Sequence, residues 1–174
     1  MVKKFFFLFF LSFALFISTN VHAQALKPSL SMGFGSGLLV QPIDKNKADA
    51  GRAPIAFILN PSYVIEWEEW LEYSVSFYIP VENGTALALI PGIRLWKYGE
   101  LFSYYGTFNV AYFYVNPDSI FGIELGGGAT YQKWGKDFLP FAEITGSTFL
   151  FGNGMPDSGV PLALKCNFGF RYNF

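Results

Sequence analysis

Six charged side chains fall mid-segment among small polar neighbours: Glu72, Arg94, Glu124, Glu143, Lys165 and Arg171. Carboxylates in such settings can act as general acid and base, or can activate a nearby hydroxyl. Three acids balance three bases here, so the first chemistry to expect is ion pairing. Isolated charges inside a low-dielectric interior are prohibitively costly, and pairing removes that cost. If segments adjacent in sequence are adjacent in space, Glu72 meets Arg94, and Glu143 meets Lys165 or Arg171.

Catalytic chemistry has little else to draw on. The sole histidine, His22, lies in an N-terminal segment that reads as a removable leader. The rest of the chain has no imidazole to serve as general base or zinc ligand. A Glu–Ser or Lys–Ser arrangement is formally possible, but nothing in the spacing marks one out. Gly33-Phe34-Gly35-Ser36-Gly37 superficially suggests a nucleotide-binding loop. It lacks the following helix, and interior glycines that make room for bulky neighbours explain it better. The expectation is therefore no enzyme, no cofactor and no metal site.

The elements that must position the six charges read as strands. Eight segments alternate with period two, near 30–38, 55–65, 71–79, 87–95, 102–114, 121–131, 138–150 and 162–174. Turn residues separate them. In the last, the even positions are Leu162, Leu164, Cys166, Phe168, Phe170, Tyr172 and Phe174. The odd positions are Ala163, Lys165, Asn167, Gly169, Arg171 and Asn173. Successive strand side chains point to opposite faces, so one face is apolar and the other polar or small. The same rule puts all six charges on the polar face. Pro140 and Gly146 blur the seventh segment.

The connections should alternate. Those at 40–54, 82–84, 116–119 and 151–161 share one end of the molecule, and those at 66–70, 97–101 and 132–137 share the other. Asn83-Gly84 is a strong hairpin signal. Asp44, Lys45, Lys47, Asp49 and Arg52 make 40–54 a charged outer loop.

The chain opens with Lys3 and Lys4, a 13-residue apolar run at 5–17 broken only by Ser12, and Val21-His22-Ala23 before Gln24. This reads as a secretory signal peptide over 1–23, since 13 residues fall short of the ~20 needed by a spanning helix. The 151 residues that follow, 24–174, suffice for one domain. Without Lys3 and Lys4 they carry 10 basic and 13 acidic residues, a net charge of −3. No basic patch suggests nucleic acid. Cys166, the single cysteine, permits no internal disulfide and sits on the apolar face.

Three observations favour a barrel whose apolar face points outward. That face carries no formal charge on any segment, and a Lys or Arg there at a bilayer midplane costs ~2–4 kcal/mol. The opposite face is rich in Gly, Ala, Ser, Thr and Asn, which suits a narrow interior. Trp67, Trp70, Trp96 and Trp134 fall at or beside one set of turns, as in an aromatic girdle. A spanning sheet must close, because open edges leave backbone groups unpaired in lipid.

With its Gly169-Phe170-Arg171-Tyr172-Asn173-Phe174 ending, the chain resembles the small eight-stranded outer-membrane β-barrels typified by the OmpA membrane domain and OmpX. The resemblance covers 24–174 and implies an all-β, antiparallel up-and-down transmembrane barrel in the outer membrane of a Gram-negative bacterium, reached through the periplasm. It makes Phe170, Tyr172 and Phe174 an assembly signal read by the outer-membrane assembly machinery. It places the tryptophans on the periplasmic side and implies contact with outer-membrane lipids and lipopolysaccharide, with any surface ligand unidentified. No periplasmic wall-binding domain follows the barrel, so wall tethering is not expected. Some small barrels of this kind modify lipid A with a His–Ser pair, which this chain lacks. The expected role is structural or surface-interacting, with the interior filled by a polar network. The alternatives are a narrow channel for ions or small solutes and a lipid-modifying enzyme.

Overall fold

The computed structural model describes residues 26–44, 47–65, 68–81, 86–115, 118–135, 137–153, 155 and 159–174. The leader, Trp67 and the 82–84 turn lie outside the described residues. Eight strands occur in order: β1 (Leu26–Asp44), β2 (Lys47–Ile65), β3 (Glu68–Pro80), β4 (Ala86–Lys97), β5 (Phe102–Val115), β6 (Asp118–Tyr131), β7 (Phe138–Gly152) and β8 (Leu162–Asn173). Each pairs antiparallel with the next, and β1 pairs with β8 from Ser29↔Asn173 to Val40↔Leu162, so the sheet closes into a barrel. Even the shortest strands, at 12 residues, climb ~30 Å at ~3.3 Å per residue and a tilt near ~40°.

Prolines fall where a ladder is already interrupted. Pro140 pairs with Phe170 on β8 but lies one residue beyond the β6–β7 ladder, which ends at Thr130↔Phe141. Pro61 sits in the gap between Leu59↔Phe77 and Ser62↔Ser74, and Pro91 in the gap between Leu89↔Tyr112 and Gly92↔Asn109. A residue with no N–H is tolerated where the ladder asks for none. This is why the blurred seventh segment still forms a 15-residue strand.

Glycines on the inner face make room. A Cβ on Gly128 would lie 2.4 Å from the Tyr105 ring, and one on Gly35 would lie 2.2 Å from Asn167 Oδ1. Both neighbours are buried inside the barrel, so the small residues opposite them let larger side chains cross the lumen.

The expected outer loop at 40–54 is instead a continuation of β1 and β2. Their ladder runs through Val40↔Ala50 and Gln41↔Asp49 to Asp44↔Lys47. Beyond Val40, β1 has no β8 partner, and β2 meets β3 only from Ala56 onward. The hairpin therefore projects past the rim, its backbone groups satisfied between its own two strands despite its charged composition.

The interior has two zones. Towards the end bearing this hairpin, Ala56, Ile58, Tyr78, Ala88, Ile90 and Ala111 form an apolar cluster against which Phe113 packs. Phe149 joins through an edge-on contact to Phe113 at 5.1 Å. Towards the end bearing the described chain termini, the lumen turns polar and charged.

Candidate functional site

The six charged residues singled out by parity are all buried, from Glu72 at 0% to Lys165 at 7% exposure. They form two groups. In the first, Arg94 Nη1 lies 3.1 Å from Glu72 Oε1, and Arg94 Nη2 lies 3.2 Å from Glu143 Oε2. Arg171 Nη1 reaches both Glu72 oxygens, at 2.9 and 2.8 Å. Trp96 Nε1 donates to Glu72 Oε2 at 2.6 Å. Glu143 also accepts from the Tyr105 hydroxyl and from Asn167 Nδ2, both at 2.9 Å. In the second group, Lys165 pairs with Glu124, which accepts from Asn109 Nδ2 at 3.1 Å and Ser147 Oγ at 2.7 Å.

The Glu72–Arg94 pair lies directly across a strand pair. The other expected pairing fails. Glu143 meets neither Lys165 nor Arg171 but Arg94, three strands away. Lys165 instead joins Glu124, and Arg171 joins Glu72. In an eight-stranded barrel the lumen is narrow enough for long side chains to meet across it, so adjacency along the sheet does not decide the partner.

Each interior cation also lies over an aromatic ring. Arg171 is 4.9 Å from the Trp96 centroid, Arg94 is 4.9 Å from that of Tyr105, and Lys165 is 4.2 Å from that of Tyr78. Cation–π attraction of this kind is strongest where water is excluded. The sequence reading missed Trp96 and Tyr105 as interior partners. The signal was present, since Trp96 shares parity with Arg94 and Tyr105 with Thr107.

Trp96 thus corrects the girdle. Its side chain points into the barrel and is 8% exposed, whereas Trp70 and Trp134 are 51% and 64% exposed. Trp134 lies edge-on to Phe170 at 6.2 Å, and Phe170 stacks on Phe138 at 4.6 Å. Tyr172 and Phe174 meet edge-on at 4.9 Å on the outer face, and the Phe174 N–H donates to the Pro28 carbonyl at 3.1 Å. A second outer aromatic row stands at the hairpin end, where Phe121 contacts Tyr112 at 4.6 Å and Phe151 at 5.2 Å. Between the rows the outer face is apolar and exposed, as at Phe34, Phe108, Leu125, Ile144 and Phe168.

At the terminus end, beside Trp96 and Arg171, a cavity of about 270 Å³ opens. Glu69 spans its mouth, accepting from Lys27 Nζ at 2.7 Å and, through its backbone carbonyl, from the Tyr98 hydroxyl at 3.0 Å.

Chemically, the carboxylates of both groups act as hydrogen-bond acceptors, each oxygen taking at least one donor. Ser147 and Glu124 form a serine–carboxylate contact, but both are buried, at 3% and 1% exposure. Among the described residues, no group of three or more His, Cys, Asp or Glu could hold a metal ion.

No family model matches the sequence, and no curated protein matches it. Among solved structures, the chain resembles Neisserial surface protein A (NspA), with a TM-score of 0.58 at 11% identity, covering 84% of this chain and 97% of that one. It also resembles Ail, the attachment invasion locus protein of Yersinia pestis. One Ail structure has a TM-score of 0.46 at 17% identity, covering 84% and 98% of the two chains. A second, in complex with the heparin analogue sucrose octasulfate, has 0.48 at 14% identity, covering 85% and 99%. The likeness to NspA is one of fold, a closed antiparallel barrel of eight strands.

Proposed function

We propose that this chain is an integral outer-membrane β-barrel of a Gram-negative cell envelope. It is exported through the periplasm and has a structural or surface-interaction role rather than a catalytic one. The observation that carries the reading is the division of side chains between the two faces. The outer face presents a belt of exposed Phe, Leu and Ile bounded by aromatic rows, while all six mid-strand charges lie inside. Monomeric soluble proteins rarely expose a contiguous apolar surface of that extent. Lipid satisfies such a belt, and a closed barrel satisfies the backbone within lipid.

The fold shared with NspA, a protein named for the cell surface, supports this placement. In it, the projecting β1–β2 hairpin, with Asp49 and Arg52 exposed, faces outside the cell. The chain termini face the periplasm, and outer-membrane lipids, lipopolysaccharide and the assembly machinery are the partners. The two interior groups and the apolar cluster above them fill the lumen, which disfavours a steady channel.

Flotation with phospholipid vesicles, read together with heat-modifiable migration in SDS, tests the reading. The expected result is co-flotation and a mobility that differs between unheated and boiled samples. A protein left at the bottom of the gradient with one mobility would overturn it.

A further inference from the structure

The outer wall is not uniformly studded. The register places Leu125 on β6, Gly146 on β7, Leu164 on β8, Leu38 on β1 and Arg52 on β2 side by side in one row. The next row towards the hairpin holds Ile123, Thr148, Leu162 and Val40. Directly paired side chains share a face, so Gly146 leaves a gap between Leu125 and Leu164. A Cβ built on it meets nothing closer than carbonyl oxygens at 4.0 Å. The result is an apolar groove of about 430 Å³ walled by Leu38, Val40, Ile123, Leu125, Leu162 and Leu164. At ~30 Å³ for a water-sized group, it has room for about 14 such groups, comparable to the methylenes of one acyl chain.

Beyond the Leu38 wall, one strand spacing away, stands Arg52. It is exposed and lies outside the β2–β3 ladder, which begins at Ala56. That puts a guanidinium at the rim, where a headgroup sits when a chain fills the groove. Guanidinium recognises phosphate oxygens with directed, charge-assisted hydrogen bonds.

We propose that this groove is a lipid site that takes one acyl chain of a membrane lipid, with Arg52 holding the lipid's anionic phosphate headgroup. The site rests on the membrane placement above and adds to it a particular occupant at a particular wall. It differs from the outward glycine position at Gly106, paired with Gly127, in having a cation beside its wall.

The test uses the full-length mature barrel reconstituted in phosphatidylcholine vesicles doped with phosphatidylglycerol. After extraction into mild detergent, native mass spectrometry counts the lipids retained. The wild type should keep one phosphatidylglycerol. Gly146→Leu fills the groove without meeting backbone, and Arg52→Gln removes the headgroup contact; each should lower retention about tenfold or more. Gly106→Leu, at an outward glycine on β5 whose nearest neighbouring atom is 3.9 Å from a built Cβ, should retain lipid as the wild type does. Equal retention by wild type and Gly146→Leu overturns the groove. Equal retention of phosphatidylcholine and phosphatidylglycerol by the wild type overturns the role of Arg52. Flotation of the same samples reads the membrane placement separately, so a barrel that floats but keeps no lipid refutes the site alone.

Discussion

Trp96 donates its indole N–H to Glu72 Oε2 at 2.6 Å while Arg171 lies over its ring. One side chain thereby serves both members of a buried ion pair. Replacing it with Phe keeps a ring for Arg171 but leaves a carboxylate one donor short. Trp96→Phe should destabilise the barrel by about 2 kcal/mol, read as a shifted urea midpoint in vesicles. Trp134→Phe, at an exposed position, should shift it by less than about 0.5 kcal/mol.

Glu143 holds Arg94, Tyr105 and Asn167 at once. Its loss leaves Arg94 and Arg171 sharing Glu72, with one buried positive charge in excess, so Glu143→Ala should cost about 3–5 kcal/mol by the same unfolding measurement. The Lys27–Glu69 pair has comparable geometry, but its side chains are 53% and 60% exposed. Lys27→Ala should cost at most about 1 kcal/mol, because solvent screens the pair.

On the proposed function, the apolar cluster closes the lumen separately from the ion pairs. Planar-bilayer recordings of the wild type should show no steady conductance. Joint replacement of Ile90, which is fully buried, and Phe113 packed against its cluster by alanine should introduce channel-like fluctuations. A reproducible large open state in the wild type contradicts the sealed lumen. Flat traces in both would move the seal to the charged groups.

Phe174 is 73% exposed, and its backbone N–H bonds to Pro28. An exposed terminal ring adds little to equilibrium stability, so a role in assembly should appear as a kinetic defect. Deleting Phe174 should lower the yield of folded barrel in cells while shifting the unfolding midpoint by less than about 1 kcal/mol. Normal insertion of the truncated chain would contradict the assembly role.

The period-two alternation made the strands and their inner faces legible, because a strand's geometry assigns every other residue to one side whatever its partners are. Parity placed Glu124 and Lys165 inside without knowledge of the register. Partner choice was not legible, since Arg94 reaches Glu143 across the lumen and no spacing along the chain encodes that distance. Trp96 was misread because its place beside a turn outweighed its parity with Arg94, when parity was the stronger physical constraint. The 40–54 stretch read as a loop from its charges. Charge does not prevent a two-stranded ladder when both strands face solvent, and the hairpin continues there.

Which face meets lipid is the claim from which the rest follows. A nitroxide scan along β5, from Phe102 to Val115, in phospholipid vesicles tests it most directly. Oxygen and a water-soluble nickel chelate serve as the two relaxation agents. The even positions, including Tyr104, Phe108 and Val110, which are 48–55% exposed, should be accessible to oxygen and closed to the chelate. The odd positions Thr107, Asn109 and Ala111, all buried, should be closed to both. Even positions open to the chelate along the length of the strand would contradict the account.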